Sequence, residues 1–362
     1  MDNLNYLKDF VKIKSFDTNT SNKQITEYIT NIFKLNNIPY QLLCNPDGIL
    51  SSIVAGINNN LNNINDAIIL SGHIDTIAPN NLWDTDPNTI KIDGDIAYGL
   101  GIIDMKAFTS TILNNIDNLK KLQKPIIIAL SCDEETDMYG IKEIVKYFKQ
   151  NNINGKYAII GEPSNSCPVV GSKGFFESEI TITGKSCHSS MPFNGTNAIY
   201  IASKIVAKLE ELSLQIGKDT LNVGIINGGT VCNIVPDKCT IRYEIRTFST
   251  KTLDFINNQL NKLFIDLEKN YIGCTINCNL VFSIPPFQEK IDDTTNKIIE
   301  YLQQPTSIYG ASTEAGYFQE LGMGAIILGV GDLKYAHKPN EQMSISEYNE
   351  YQNKFLEILK IL

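Results

Sequence analysis

Apolar residues recur along this chain with two periods, and the change of period divides it. Leu4, Leu7, Phe10 and Val11 share one helical face with Asp and Lys between them, so residues 3–12 read as an amphipathic helix. Residues 22–36 read as a second helix. Strands are then expected at 51–55 and 67–71, separated by an Asn-rich turn at 58–66. A helix at 107–121, a strand at 125–131, a helix at 141–150 and a short buried strand at 157–160 follow. Strands taken in turn with helices predict a largely parallel α/β sheet.

From residue 172 the pattern differs. Strands at 174–183, 221–226, 238–246 and 274–282 and helices at 197–212 and 251–268 come in the order β-α-β-β-α-β. Within 238–246, Cys239, Ile241, Tyr243 and Ile245 alternate with polar residues. That order predicts a ferredoxin-like α+β domain at 172–284, inserted into an α/β domain made of 1–171 and 285–362. The α/β pattern resumes with a helix at 291–303, a strand at 324–328 and an amphipathic helix at 346–361.

Composition narrows the function. A chain of 362 residues is expected to form about two domains. Its formal net charge of −9 gives no electrostatic reason to bind nucleic acid or an anionic membrane. No apolar run reaches the length of a membrane span, and the N-terminus does not read as a signal peptide. The eight cysteines are scattered with no C-x-x-C pair, which suits reduced thiols and a cytoplasmic location. Only two arginines occur, Arg242 and Arg246.

The three histidines, His73, His188 and His337, each sit among other suggestive residues. His73 and Asp75 follow an apolar strand at i and i+2, so both point to one side of extended chain. They suit a metal-bound imidazole oriented by a carboxylate, or a hydrogen-bonded pair that closes a strand. Asp104 follows Gly99 and Gly101 just before a helix, where it reads as a cap or as a ligand. Asp133, Glu134 and Glu135 crowd the end of another strand and, if buried, would need a cation to offset their repulsion. A further strand ends at Glu162. Strand ends of α/β sheets converge on one edge, so His73, Asp104, Glu134, Glu135 and Glu162 are candidates to meet there. No G-x-S-x-G is present, which argues against a serine nucleophile. A cysteine nucleophile at Cys132 or Cys187 is the other covalent reading.

Taken in order, SGHIDT, YGLGIIDMK, SCDEET, GEPS, GKSCHSS, STEAGYF and AHKPNE closely resemble the zinc-dependent acetylornithine deacetylase, succinyl-diaminopimelate desuccinylase and carboxypeptidase family. The likeness spans essentially the whole chain and is nearest to the deacetylases, through Trp83 to Pro87, the run from Ile159 to Ser164, and Thr313-Glu314-Ala315. It implies a zinc-aminopeptidase-like catalytic domain carrying an inserted dimerisation domain, or lid. It also implies two Zn2+ ions, with Co2+ as a substitute. One would be held by His73 and Glu162, the other by Glu135 and His337, with Asp104 bridging. Asp75 would orient His73, and Glu134 would serve as general base and acid. His188 would reach the partner subunit's site in a homodimer. Asn233 and Arg246 would hold a substrate carboxylate, and Glu314 would meet the ammonium of an ornithine moiety. Ala107 departs from the family, which usually has Gly there. Desuccinylase, aminoacylase or peptidase activity, or a non-catalytic binding role on the same fold, are the alternatives.

Overall fold

The computed structural model describes residues 3–16, 22–46 and 48–362; Met1 and Asp2, where the N-terminal reading begins, lie outside them. The chain forms two compact units. One comprises Met1–Gly171, Glu289–Ile308 and Glu314–Leu362, the other Ser172–Gln288 and Tyr309–Thr313.

The first passage runs α1 (Asn5–Lys12), α2 (Lys23–Leu35), β1 (Tyr40–Cys44), β2 (Ser51–Ile57), β3 (Ile64–His73), β4 (Lys91–Asp93) and β5 (Ile96–Tyr98). An irregular turn over Ile102–Lys106 precedes α3 (Ala107–Asn114), α4 (Ile116–Lys121), β6 (Ile126–Ser131), α5 (Tyr139–Gln150), β7 (Ile153–Pro163) and β8 (Val169–Ser172). The inserted unit contributes β9 (Gly174–Thr183), α6 (Ala198–Ser213), β10 (Thr220–Gly228), β11 (Lys238–Thr247), α7 (Thr250–Asn270) and β12 (Thr275–Ile284). The chain closes with α8 (Asp293–Leu302), β13 (Ser307–Tyr309), α9 (Ala315–Glu320), β14 (Gly324–Gly329), β15 (Gln342–Ser344) and α10 (Ile345–Ile361).

The main sheet has the order β1-β2-β6-β3-β7-β14-β8-β13. It is mixed: β3 runs parallel to β6 and β7, and β7 to β14, while β1 and β2 pair antiparallel on one side. All of β6 and the last seven residues of β7 are buried. That is why these strands read as continuous apolar runs: helices cover both faces, and neither face needs a polar residue. Because β3, β6 and β7 are parallel, His73, Ser131 and Pro163 end on the same edge. The register sets His73 against Ser131 and Ser71 against Ile160. The residues after those ends are therefore delivered together.

The helix expected over 107–121 is broken. Asn115 leaves helical geometry at ψ 9°, and its side chain donates to Thr111 O at 2.9 Å. Asn competes with the backbone for such bonds, which makes it a natural breakpoint. Strands β1, β4, β5, β8, β13 and β15 and helix α9 add to the expected elements.

The inserted unit is a four-stranded antiparallel sheet of order β10-β11-β9-β12. With its β-α-β-β-α-β succession this is the ferredoxin-like arrangement. Ile180, Ile182, Ile241, Tyr243 and Ile245 share a core with Ile201, Ile205 and Leu209 of α6 and Ile256, Leu260 and Phe264 of α7. The alternate residues, among them Glu177, Glu179, Arg242, Glu244 and Arg246, occupy the opposite face. One face packed and one polar is what strict alternation encodes.

Candidate active site

His73 ends β3 with its side chain 1% exposed. Its Nδ1 turns back on the chain, 3.0 Å from the Asp75 carbonyl oxygen and 3.5 Å from Asp75 Oδ1. That contact leaves Nε2 facing outward, 3.0 Å from Asp104 Oδ1 and 4.0 Å from Glu162 Oε1. Asp75 also ties a second segment: its two carboxylate oxygens accept from Glu134 N at 3.2 Å and Glu135 N at 3.1 Å. The carboxylate expected to orient His73 thus also fixes the acidic turn after β6.

Asp104 reaches the site from the irregular turn before α3. Gly101 opens that turn at φ 71°, a left-handed conformation that glycine adopts without cost. The Asp104–Met105 peptide is cis. The helix proper starts at Ala107, so Asp104 is not its cap. Its Oδ1 faces His73, and its Oδ2 lies 3.2 Å from His337 Nε2. His337, half exposed and at φ 59°, is also 2.9 Å from Glu135 Oε2. Glu162 arrives on β7, whose Gly161 lies where a Cβ would strike Phe108 of α3.

Two groups of three result: His73, Asp104 and Glu162, and Asp104, Glu135 and His337. Within each, one ligand atom per residue lies within 4.8 Å of the others, and Asp104 belongs to both. Charge explains why such a cluster calls for cations. Burial, then the Asp104 charge, pushes Glu162 up to about 8. Burial, then Glu162, raises Glu134 well above the usual carboxylate range. Burial likewise raises Glu135, against the hydrogen bond from His337. Burial opposes ionisation of Asp104 too, but hydrogen bonds to His337 and His73 outweigh it and hold its carboxyl low. Imidazole and carboxylate donors in this mixture fit a divalent cation such as zinc or cobalt.

Comparison with known proteins agrees with this chemistry. The peptidase dimerisation domain family of M20 matches residues 170–272. Acetylornithine deacetylase of Aliivibrio salmonicida is 34% identical over 77% of this chain and 77% of its own length. Acetylornithine deacetylase of Buchnera aphidicola is 31% identical over 90% of this chain and 87% of its own. The chain belongs to the M20 metallohydrolase family. A Bacillus subtilis structure described as a dinuclear metal binding peptidase of this family superposes with a TM-score of 0.72 at 15% identity, covering 99% of this chain and 96% of its own. As an M20 member the chain is a hydrolase acting on amide bonds.

The other expected residues of this M20 chain fall in different surroundings. His188, Asn233 and Arg246 all lie in the inserted unit. There the His188 and Asn233 segments run side by side, through a bridge between His188 and Ile234 and a bond from Ser189 N to Asn233 O at 3.0 Å. His188 is exposed, with Nδ1 2.7 Å from Ser190 Oγ. Arg246 donates to Glu244 Oε1 at 3.1 Å and lies 4.8 Å over the Phe175 ring. Glu314, expected to meet a substrate ammonium, is 1% exposed. Its Oε2 accepts from Ser71 Oγ at 3.0 Å inside the sheet layer. Burial pushes its carboxyl up to about 7, partly offset by Ser131, His73 and Ser71. Its charge is among those that raise Glu134 and Glu162. The thiol of Cys132 is buried against Ser52 and raised by burial, which removes it as a nucleophile. Glu341 was not among the sequence candidates, although it ends the AHKPNE segment; nothing local distinguishes it from a solvated glutamate.

Proposed function

We propose that this chain is a two-zinc deacylase of small N-acyl amino acids, with N-acetylornithine as its substrate and ornithine and acetate as products, in the arginine-forming direction of amino-acid biosynthesis. The observation that carries the reading is Asp104 shared between two ligand groups beside Glu134, whose carboxyl burial and Glu162 raise. The deacetylase name comes from relatives at 31% and 34% identity.

His73 and Glu162 would hold one ion and Glu135 and His337 the other, with Asp104 between them. Bound there, the cations would supply Lewis-acid activation of water and of the acyl oxygen. Glu134 takes the proton from the attacking water as its oxygen bonds to the acyl carbon. It then delivers that proton to the leaving amine as the C–N bond breaks. A carboxylate raised by burial and by acidic neighbours is suited to both halves of that transfer. Asp75 holds Glu134 and Glu135 through their backbone N–H groups while this happens. His188 of a partner subunit donates to the developing oxyanion. Arg246 and Asn233 bind the α-carboxylate, which a guanidinium can grip with two parallel bonds.

A homodimer is proposed through the inserted unit. Strand β10 is one edge of its sheet, with Ile225 and Ile226 about half exposed, and Phe193 and Ile272 stand almost fully in solvent in the same unit. A cytoplasmic location is proposed from eight cysteines that form no disulfide. Among the described residues, no helix is long and apolar enough to cross a membrane.

The test is a hydrolysis screen of zinc-loaded protein on N-acetylornithine, N-acetylcitrulline, N-succinyl-diaminopimelate and a dipeptide. N-acetylornithine should give the highest kcat/KM. A preference for the succinyl substrate or the dipeptide would move the assignment to a desuccinylase or peptidase of the same family.

A further inference from the structure

Glu341 stands four residues beyond His337 and is 3% exposed. One loop takes up both of its carboxylate oxygens. Oε2 accepts from Gly101 N at 2.8 Å, and Oε1 accepts from Ile103 N at 2.9 Å and Asp104 N at 3.2 Å. The Glu341 carbonyl accepts in addition from Gly99 N at 3.1 Å. The next residues form β15, which pairs with β5 just ahead of the same loop. Lys106 is likewise buried; burial lowers its ammonium to about 8, partly offset by the charge of Glu341. The loop that carries Asp104 and the segment that carries His337 are therefore joined by side chain and backbone together. A carboxylate can serve three inward N–H donors; an amide offers one acceptor and would set its own NH2 against the rest.

We propose that Glu341 is a positioning residue for the metal centre: by clamping Gly101, Ile103 and Asp104 it fixes Asp104 against His337, so that the Asp104–Glu135–His337 group is assembled before a cation arrives. The proposal rests on the two-metal reading above. Both Glu341 carboxylate oxygens are taken up by backbone N–H groups, so its effect runs through Asp104.

The experiment is calorimetric titration of metal-free protein with Zn2+, comparing wild type, Glu341→Gln and Glu341→Asp. It is run at a temperature where circular dichroism shows each metal-free protein fully folded. Visible spectra of the Co2+-substituted forms accompany it. Wild type should bind two equivalents. Glu341→Gln should bind zinc about 10- to 100-fold more weakly, the range for residues that orient metal ligands, and its cobalt spectrum should change. Glu341→Asp keeps the charge but not the reach and should fall between. Folded Glu341→Gln with wild-type affinities and cobalt spectrum overturns the proposal. So does failure of both variants to fold without metal, which would make Glu341 a residue of the fold alone. Fewer than two equivalents in wild type would instead strike the two-metal reading itself.

Discussion

The candidate ligand cluster of the α/β unit and the candidate recognition residues of the inserted unit are built on opposite plans. His73, Asp104, Glu135 and Glu162 have side chains at most 9% exposed, and each leaves the end of a strand or a turn whose backbone is pinned. His73 lies 3.0 Å from Asp104 and 4.0 Å from Glu162, half-exposed His337 joins Asp104 to Glu135, and Asp75 and Glu341 anchor the turns that hold them. His188 and Asn233 are exposed on loops, and Arg246 is 38% exposed with its guanidinium already engaged by Glu244. One region assembles charge before anything binds. The other keeps its groups at least partly in water, with His188 on Ser190 and Arg246 on Glu244, partners that a ligand must displace. Bond-making chemistry gains from fixed geometry, whereas recognition residues must first admit the substrate.

Removing the cations should have the largest effect, because it acts on the region where carboxylates are most crowded and buried. Activity should fall to the level of a blank, and the metal-free protein should lose stability as pH rises. Burial pushes Glu314 up to about 7 and Glu162 up to about 8 from a normal 4.5, so the folded state holds their protons more tightly than the unfolded chain does. That contribution is complete below the normal value and is lost as pH climbs through the raised ones. Melting of chelated protein between about pH 5 and about pH 9 should show a falling Tm, with a flatter profile after zinc is restored. A flat profile for the metal-free protein would mean the carboxylates are less crowded than the geometry implies. Glu134→Ala comes next, with kcat reduced about 10³-fold, near the middle of the range for a proton-transfer residue. Elemental analysis should find its metal content unchanged. Loss of metal would make Glu134 a ligand and require the roles of Glu134 and Glu135 to be exchanged.

The same contrast decides what could be read without coordinates. Buried parallel strands announce themselves, and the runs around Ile68–Leu70, Ile126–Leu130 and Tyr157–Ile160 each lead straight into His73, the acidic turn and Glu162. Those residues could be nominated because a strand end has a direction. Asp104 was ambiguous, since a glycine-rich turn before a helix looks the same whether its aspartate caps the helix or faces two histidines. Strand β4 is exposed at all three residues and carries no periodic signal. Glu341 and Glu314 were illegible in a stronger sense. What separates them from ordinary glutamates is burial and partners far along the chain, from residue 101 for the one and residue 71 for the other. The family likeness named Glu314 through Thr313-Glu314-Ala315, but nothing in that motif announced its burial.

Two smaller effects test the inserted unit. His188→Ala should reduce kcat about 100-fold, the usual cost of one oxyanion donor, with melting and zinc content unchanged because the side chain is exposed and bonded only locally, to Ser190. Mixing it with Glu134→Ala sharpens the claim. If His188 acts across a dimer, heterodimers should regain activity at the one site that combines an intact Glu134 with a partner's intact His188. Absence of any recovery after subunit exchange would return His188 to its own subunit or remove it from the chemistry.

Arg246→Lys should have the smallest effect and the most diagnostic one. Lysine keeps the charge but loses the two-pronged grip and the flat contact with Phe175, 4.8 Å from the guanidinium carbon. Losing one charge-assisted bond, worth about 1.4 kcal/mol, corresponds to roughly a tenfold rise in KM. The carboxylate is remote from the bond being cut and is held alike before and during reaction, so kcat should stay within about twofold. Steady-state kinetics on N-acetylornithine and on its α-carboxamide separate the possibilities. Wild type should favour the acid, and the variant should lose that preference while handling the carboxamide as wild type does. Equal losses on both substrates would mean that Arg246 serves the sheet through Glu244 and Phe175 and does not read the carboxylate. The inserted unit would then hold its charges for its own stability, and the contrast with the buried cluster would narrow to His188 and Asn233.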